Sequence, residues 1–322
     1  QEASLYLLPT RRGAAGMSTA ARRSWALAAH VYVSEGQNRP LVRRLAAAGA
    51  GAGAVVANEF LDAAYHRSGI TLTSDDPGRL LAAVTAVCGE ALGALDLRQH
   101  SASHPRVGVV DHVACNPLGT ATCQEAAALA GSVAGQLGRG EPGAARPAVP
   151  VYLYGAARED GRSLAELRRA LGYFRGASSG TWSGLSPEMA EALGNLPPDA
   201  GPSEVDPRYG AAVVGAVPWV TNYNLLLTGA GLEMSELMAR CRDIARRTSA
   251  RGGGLAAVET MALPHDRGVE VACNLQDTSL TPASEVRSLV ADLAATAGLC
   301  LEDAYFTNKQ PEEVLALTLL AT

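Results

Sequence analysis

The chain is poor in aromatic and charged side chains, which make up only 5% and 18% of its residues. Proteins that bind single-stranded nucleic acid stack bases on aromatic side chains, and proteins that bind duplexes present a field of Lys and Arg. Neither feature is visible here, and the net charge is −5. We therefore expect no direct nucleic-acid footprint.

Long apolar runs and paired cysteines are also missing. No run reaches the roughly 20 apolar residues that span a bilayer, so we do not expect an integral membrane protein. The six cysteines are spread singly, and none forms a CxxC pair. This spacing disfavours a structural zinc site and is typical of small buried side chains in a reducing compartment.

The first residues differ in composition from the rest of the chain. Residues 10–25 contain Arg, Ser and Ala but no acidic residue. That composition is typical of an organellar transit segment, although an ordinary basic tail explains it equally well. We expect residues 1–29 to form a tail or residual transit segment and the protein to lie in an organellar matrix, with the mitochondrion favoured and the chloroplast as alternative. If the tail is not a transit segment, we expect a cytoplasmic protein.

Beyond this tail, β-type runs alternate with amphipathic helical runs in two series. Each series reads β-α-β-β-α-β, which is the ferredoxin-like order. The pattern predicts an α/β (α+β) fold in which two ferredoxin-like subdomains, residues 30–217 and 218–322, pack around a cleft. Residues 175–210 are rich in Gly, Ser and Pro and predict a long loop with one short helix, and loops of that length are often functional.

Three of the six histidines lie within residues 100–112, in a predicted loop between a helix and a Val-rich strand. A neutral imidazole titrates near working pH and acts as a general acid or base. Zinc binding is a rival interpretation because His100 and His104 are four residues apart, but the HExxH glutamate is missing and Pro105 interrupts a helix. Hydrogen bonds from these histidines to backbone groups are a third, purely structural interpretation.

The same cluster resembles a known family. Residues 99–111 read QHSASHPRVGVVD, which is similar to the motif RHKGEHPRMGALD of the formiminotransferase domain of formimidoyltransferase-cyclodeaminase. Further similar segments follow in the family's order over about residues 30–310, and the chain looks most like the plant and algal single-domain branch. These segments are 33–38 (VSEGQN), 149–155 (VPVYLYG), 201–210 (the family's folate-contacting loop), 223–224 (YN) and 274–277 (NLQD).

The resemblance implies a dimer that moves a formimino group from formiminoglutamate to N5 of tetrahydrofolate. Tetrahydrofolate would then be a substrate, and no metal is needed. By the same resemblance, His104 is the catalytic acid and base. The substrate-binding residues would be Arg67, Arg106, His100 and Asn224, and the folate-binding residues Gly201, Pro202, Ser203, Tyr209 and Gly210.

The chain also departs from the family's pattern. Ser101, Ala102 and Ser103 replace Lys-Gly-Glu, so a cation and a carboxylate beside the proposed base are lost. Two specific functions therefore stay open, besides that of an unrelated α/β transferase. The first is a folate-dependent one-carbon transferase whose ligand is a small folate. The second is a catalytically degenerate subunit with a structural role in a larger organellar assembly, so that either a homodimer or a larger protein assembly is expected.

Overall fold

A computed structural model describes residues 24–141, 146–173, 175 and 181–321. The chain divides into two compact units. The first unit contains the described residues up to Pro218 together with those from Pro311 onward, and the second contains Trp219–Gln310. Among the described residues, no helix is both long enough and apolar enough to cross a membrane.

The first unit begins with a ferredoxin-like arrangement, as predicted. Four antiparallel strands pair in the spatial order β2-β3-β1-β5, and two helices connect them. Asp76 caps the second of these helices with its side chain, and Pro77 follows at its start, which confirms the start predicted there. The elements are β1 (Trp25–Val33), α1 (Arg39–Gly51), β2 (Val55–Asp62), β3 (Arg67–Ser74), α2 (Pro77–Ala94), a two-residue β4 (Ser101–Ala102) and β5 (Val110–Gly119).

Two further strands extend this sheet in the described part of the unit. They run parallel to β5 and give the order β2-β3-β1-β5-β8-β6. The strand β8 was not predicted, because its sequence AVVGA is short and rich in Ala and Gly. The remaining elements are α3 (Cys123–Arg139), β6 (Val151–Gly155), α4 (Leu164–Ala170), β7 (Trp182–Ser183), α5 (Pro187–Asn195), β8 (Ala212–Ala216) and α8 (Pro311–Leu320).

The two faces of this sheet differ in polarity. On one face Leu27, Val31 and Leu72 pack under α1, α2 and α3 in the largest apolar core. Because successive side chains of a strand point to opposite faces, His30 and Tyr32 of β1 lie on the other face. Most polar side chains of this second face are buried, so it carries the groups that need partners inside the protein.

The second unit is a separate ferredoxin-like fold with its own apolar core, which confirms the predicted class. Its strands are antiparallel in the order β10-β11-β9-β12. Its elements are β9 (Thr221–Thr228), α6 (Met234–Thr248), β10 (Val258–His265), β11 (Gly268–Leu275), α7 (Ala283–Thr296) and β12 (Cys300–Phe306).

The boundaries of the tail and of the second subdomain differ from the expected ones. The expected tail of residues 1–29 overlaps β1, because Ala26–Ala29 are fully buried as the centre of a strand; residues 1–23 lie outside the described residues. At the other end, α8 packs on β1, β2, β3 and β5 of the first unit, although it follows the second unit in sequence. Val314 and Thr318 are its buried residues, and the Thr318 hydroxyl bonds that of Thr73 at 2.8 Å.

The cysteines follow the expectation in part. Cys88, Cys115, Cys241 and Cys273 are buried free thiols, and Cys123 is half-buried. The expectation is wrong for Cys300, which is exposed because it opens β12 with its side chain on the solvated side.

Truncating the buried contact of α8 tests its assignment to the first unit. Val314→Ala removes two methyl groups from a fully buried site and should lower the free energy of unfolding by about 2 kcal/mol in urea denaturation. Leu317→Ala is the matched control, since Leu317 is 36% exposed and should cost much less. Equal losses in the two variants would contradict the docking of this helix.

Candidate active site

Three loops of the first unit meet at one end of its sheet. The backbone N–H of Ser34 donates to the Val109 carbonyl at 2.9 Å, and the Ser34 hydroxyl donates to the Gly108 carbonyl at 2.7 Å. Gly36 passes the turn between β2 and β3 so closely that a Cβ there would lie 2.0 Å from the Asp62 carbonyl oxygen. The segment 33–38 therefore joins that turn to the loop before β5, and only glycine fits at position 36.

The turn between β2 and β3 presents two aromatic rings to this junction. The Asp62 carboxylate accepts a hydrogen bond from the Tyr65 backbone N–H at 2.7 Å and so holds the turn closed. His66 adopts the left-handed backbone conformation with φ of 47°, and its Nδ1 accepts from the Gly36 N–H at 3.0 Å. Tyr65 is thereby aimed at His104, with 5.6 Å between ring centroids.

The His104 imidazole lies between the rings of Tyr65 and Tyr173, and part of its surface remains accessible. Its Nδ1 is 2.7 Å from the Pro105 carbonyl oxygen. Because a carbonyl oxygen can only accept, Nδ1 must carry the proton, and the lone pair is on Nε2. The local backbone thus selects the tautomer in which Nε2 can accept a proton.

Burial and, to a smaller extent, the positive charge of Arg67 together lower the pKa of His104 to about 3, against a smaller opposing effect of Asp111. The ring is therefore neutral at physiological pH. The low pKa makes the neutral ring a weak base, but its Nε2 lone pair is present to accept a proton, and once protonated the ring gives the proton back readily.

A buried ion pair joins Arg67 at the start of β3 to Asp111 at the start of β5. Burial alone would raise the pKa of Asp111, but the charges of Arg67 and Arg168 outweigh burial and hold that pKa well below its usual range. The Asp111 carboxylate also accepts from the Val107 backbone N–H at 2.7 Å, and the Arg67 guanidinium stacks over the Tyr32 ring at 4.7 Å. Asp111 thereby fixes the loop that carries His104.

Arg106 and His100 lie together beside this pair. The guanidinium of Arg106 donates to the His104 carbonyl and contacts His100 Nε2 at 2.9 Å. The same Nε2 lies 3.0 Å from the His66 carbonyl oxygen, although one ring nitrogen cannot both accept and donate. His100 Nδ1 is buried and has no hydrogen-bond partner among the described residues. A water or a ligand group is therefore needed to complete this part of the site.

Arg168 of α4 also lies near His104 and Asp111, which the sequence did not indicate. Its guanidinium lies 4.5 Å over the Tyr173 ring, and its positive charge lowers the pKa values of Asp111 and His112. Its Nε is buried and lacks a partner within the described part of the chain. Arg67 and Arg106 have protein partners for their guanidinium groups, whereas the Nε of Arg168 has none among the described residues.

A row of buried polar rings continues from the cluster along the same sheet face. Tyr32 stacks on His112 with 5.5 Å between ring centroids, and His112 Nε2 lies 2.8 Å from the Tyr154 hydroxyl. His30 follows on β1, 3.0 Å from the Thr71 hydroxyl, and burial lowers the pKa of His30 to about 4. Sequence reasoning counted His112 in the histidine-rich segment but did not assign Tyr32, Tyr154 or His30 to the site, although polar side chains at alternate positions of buried strands are a signal that could have found them.

The segment 201–210 does not lie at the junction as one piece. Gly201 lies beside Gly138, where a Cβ would be 2.3 Å from the Val149 carbonyl oxygen. At the other end the Tyr209 carbonyl accepts from the Val109 N–H at 2.8 Å, and Gly210 forms a bridge with Gly108. Tyr209 and Gly210 are thus close in structure to the loop of His104, whereas Pro202 is half-buried and Ser203 is exposed further along.

Asn224 belongs to the second unit, on β9. Its side-chain amide donates to the Glu270 carboxylate at 2.7 Å, and the Tyr305 hydroxyl donates to the other oxygen of Glu270. Glu270 is fully buried, and Asn222 donates to Asn274 at 2.7 Å nearby. This unit therefore has a polar sheet face of its own.

The residues that replace the family's Lys-Gly-Glu have a structural partner. Ser101 and Ala102 form β4, which pairs with Trp182 and Ser183 of β7, and the two serine hydroxyls lie 3.0 Å apart. The loop before His104 is thus held by the long segment after α4. Among the described residues, no three His, Cys, Asp or Glu side chains are grouped to hold a metal ion.

Comparison with known proteins agrees with the resemblance seen in the motifs. The family profile described as "Formiminotransferase domain, N-terminal subdomain" matches residues 26–217. A formiminotransferase cyclodeaminase-like protein of Arabidopsis thaliana is 39% identical over 88% of this chain and 93% of its own length. Glutamate formimidoyltransferase of Streptococcus pyogenes is 28% identical over 64% of each chain. Formimidoyltransferase-cyclodeaminase of Sus scrofa is 29% identical over 58% of this chain, which matches only 32% of the pig protein.

The buried neutral histidines predict an acid-sensitive fold. The pKa values of His30 and His112 are lowered by burial, so below about pH 6.5 the unfolded chain binds protons that the folded chain does not. The free energy of unfolding should therefore fall as pH decreases from 6.5 to 5, by about 1 kcal/mol per pH unit for each such histidine. Urea denaturation at several pH values measures this slope. His112→Gln should flatten it, and an unchanged slope in that variant would contradict the explanation.

Proposed function

The chain belongs to the formiminotransferase family, and on that premise we propose that it is a folate-dependent one-carbon transferase in which His104 is the general acid and base. The family uses folate as a substrate. The proposed donor is an amino-acid derivative such as formiminoglutamate, and the acceptor is N5 of tetrahydrofolate. The observation that carries the proposal is the accessible, neutral His104 whose Nε2 lone pair is left free by the bond from Nδ1 to Pro105.

The reaction needs two proton transfers, and the His104 imidazole can make both. When the N5 amine attacks the formimino carbon, a C–N bond forms and N5 must lose a proton, which His104 Nε2 accepts. When the tetrahedral adduct collapses, the C–N bond to the glutamate nitrogen breaks, and that nitrogen takes the proton back from Nε2. Burial and Arg67 disfavour the imidazolium, so return of the proton is the favourable half of the cycle.

The charge of the cluster suits an acidic donor. Arg67, Arg106 and Arg168 outnumber the carboxylates Asp111 and Glu35, and the lowered histidine pKa values keep those rings neutral. Arg67 and Arg106 already hold protein partners. We therefore assign the carboxylate of the donor to Arg168, whose Nε has no partner within the described residues. The assignments of His100, Arg67 and Arg106 to substrate binding stay predictions.

For folate we retain the predicted contacts. Backbone groups near Tyr209 and Gly210 lie next to the loop of His104 and suit the polar edge of a pterin, since glycine permits close approach. Gly201, Pro202 and Ser203 would contact a more distant part of the ligand. The assignment of Asn224 to substrate binding stays a prediction. The dimeric state and the organellar matrix likewise stay predictions.

One observation favours the second candidate, a catalytically degenerate subunit of a larger assembly. The segment that carries a cation and a carboxylate in the family motif is here a neutral strand, β4, bound to β7. If the wild-type chain binds 5-formyltetrahydrofolate but shows no turnover with formiminoglutamate and tetrahydrofolate, the degenerate function is supported instead.

Replacing the proposed base separates chemistry from binding. His104→Gln should lower kcat by about 100-fold or more, because the proton acceptor is lost. The Kd for 5-formyltetrahydrofolate, measured by calorimetry, should stay within about twofold. In the wild-type enzyme the acid limb of kcat/KM should lie below pH 5, since the pKa of His104 is about 3 and not near 6.5. Unchanged turnover in the variant would exclude His104 as the base, whereas an acid limb at pH 6 to 7 would contradict its lowered pKa.

A second variant tests the donor site. Arg168→Met should raise KM for formiminoglutamate by about tenfold or more while the Kd for 5-formyltetrahydrofolate stays unchanged, because the charged hydrogen bond to the donor is lost. Arg169→Met is the matched control, since Arg169 is the next residue on α4 and is exposed. A change of KM in the control alone, or in neither variant, would exclude the assignment.

A further inference from the structure

A cavity lies on the helical face of the first unit, and its lining shares no residue with the candidate active site. Its volume is about 790 Å³, within the range of small-molecule pockets. The helices α1 and α2 form one side through Arg44, Thr85 and Glu90, and the end of α3 and the chain beyond it contribute Glu141 and Arg146. Small residues of α2, among them Ala82, Ala86 and Gly89, keep the floor open.

Arg146 is the unusual member of this lining. It is only 8% exposed, and its aliphatic stem lies over Gly89, where a Cβ would be 3.4 Å from the Arg146 Cδ. Its Nε and Nη1 are buried and have no hydrogen-bond partner among the described residues, and its Nη2 makes one long contact of 3.4 Å to the Gly140 carbonyl. The stem is therefore held by packing while most of the donors of the guanidinium stay unused.

The acidic residues of the cavity do not neutralise Arg146. Glu90 forms an ion pair with Arg44 at 2.6 Å. Within the part of the chain that the structure describes, no carboxylate oxygen lies within 4.0 Å of an Arg146 side-chain nitrogen. An arginine cannot lose its charge in a protein, and a buried charge without a counter-charge costs several kcal/mol.

A second polar group without a hydrogen-bond partner among the described residues lines the same cavity, and it belongs to a different segment of the chain. The Thr85 hydroxyl on α2 is buried and has no partner among the described residues. Native proteins leave few buried polar atoms unpaired, and each one calls for an explanation such as a water or a ligand. Two such groups from separate segments, a cation and a hydroxyl, share one cavity.

We propose that this cavity is a binding site for a small organic anion, with a carboxylate or phosphate group on Arg146 and Thr85. The apolar part of the ligand lies against Leu81, Ala82 and Ala86. A single negative charge is the best match, because Glu141 and the paired Glu90 also face the cavity and repel further charge. The site is separate from folate and donor binding and holds whether or not the proposed transferase activity is correct.

Titration of the full chain with matched probes tests the proposal. Benzoate should bind with a Kd below about 1 mM by calorimetry or NMR, whereas benzamide, which has the same shape without the charge, should bind at least tenfold more weakly. Phenyl phosphate is the second anionic probe. The ratio of its affinity to that of benzoate shows whether the site prefers a phosphate or a carboxylate group. Absence of binding by both anions at 10 mM, or equal binding of benzamide, would overturn the proposal.

Two variants test whether benzoate binds at Arg146 and Thr85, and whether the unpaired charge of Arg146 destabilises the protein when no ligand is bound. Arg146→Met should weaken benzoate binding at least tenfold and, without ligand, should raise the melting temperature, because an unpaired buried charge is replaced by an apolar side chain. Thr85→Val should weaken benzoate binding by a smaller factor. Arg43→Met is the control, since Arg43 is exposed on α1 outside the lining, and its benzoate affinity should be unchanged. Equal benzoate affinity in the wild type and both cavity variants would exclude the site.

Discussion

The buried ion pair between Arg67 and Asp111 is the constraint on which the candidate site depends. It joins the start of β3 to the start of β5, and Asp111 also binds the backbone of the loop that precedes β5. A buried pair of this kind costs desolvation and is retained only where its geometry is well satisfied. Here it does more than hold the fold, because it places a positive charge beside His104 and so helps to keep that imidazole neutral.

At both sites of the first unit, an arginine lies without a neighbouring carboxylate that fully balances its charge. Around His104 the excess is balanced in part by Asp111, and the remaining positive charge suits an acidic substrate. In the outer cavity Arg146 has no such balance among the described residues. Both arginines with unused donors, Arg168 and Arg146, have stems or planes fixed by packing, which lowers the entropy lost when an anion binds.

Much of the fold could be predicted from the chain alone. Asp76–Pro77 started a helix as expected, and the order of strands and helices in both units agreed with the ferredoxin-like pattern. The failures have physical reasons. Residues 26–29 were grouped with a tail because alanine carries little periodic signal, and β8 was missed because a short strand rich in Ala and Gly resembles a loop.

The sequence by itself determined the fold class, the family and the position of the histidine-rich loop, since local periodicity, capping residues and ordered motifs are written in neighbouring residues. Only the tertiary structure decided which groups share a site. Arg168 and Tyr173 come from a segment without a recognisable motif, and they meet His104 and Asp111 because α4 folds across the polar face of the sheet. The lowered pKa of His104 arises from burial and through-space charge, which have no local signature in a sequence. The same holds for the Nε of Arg168, which is buried without a partner in the described part of the chain.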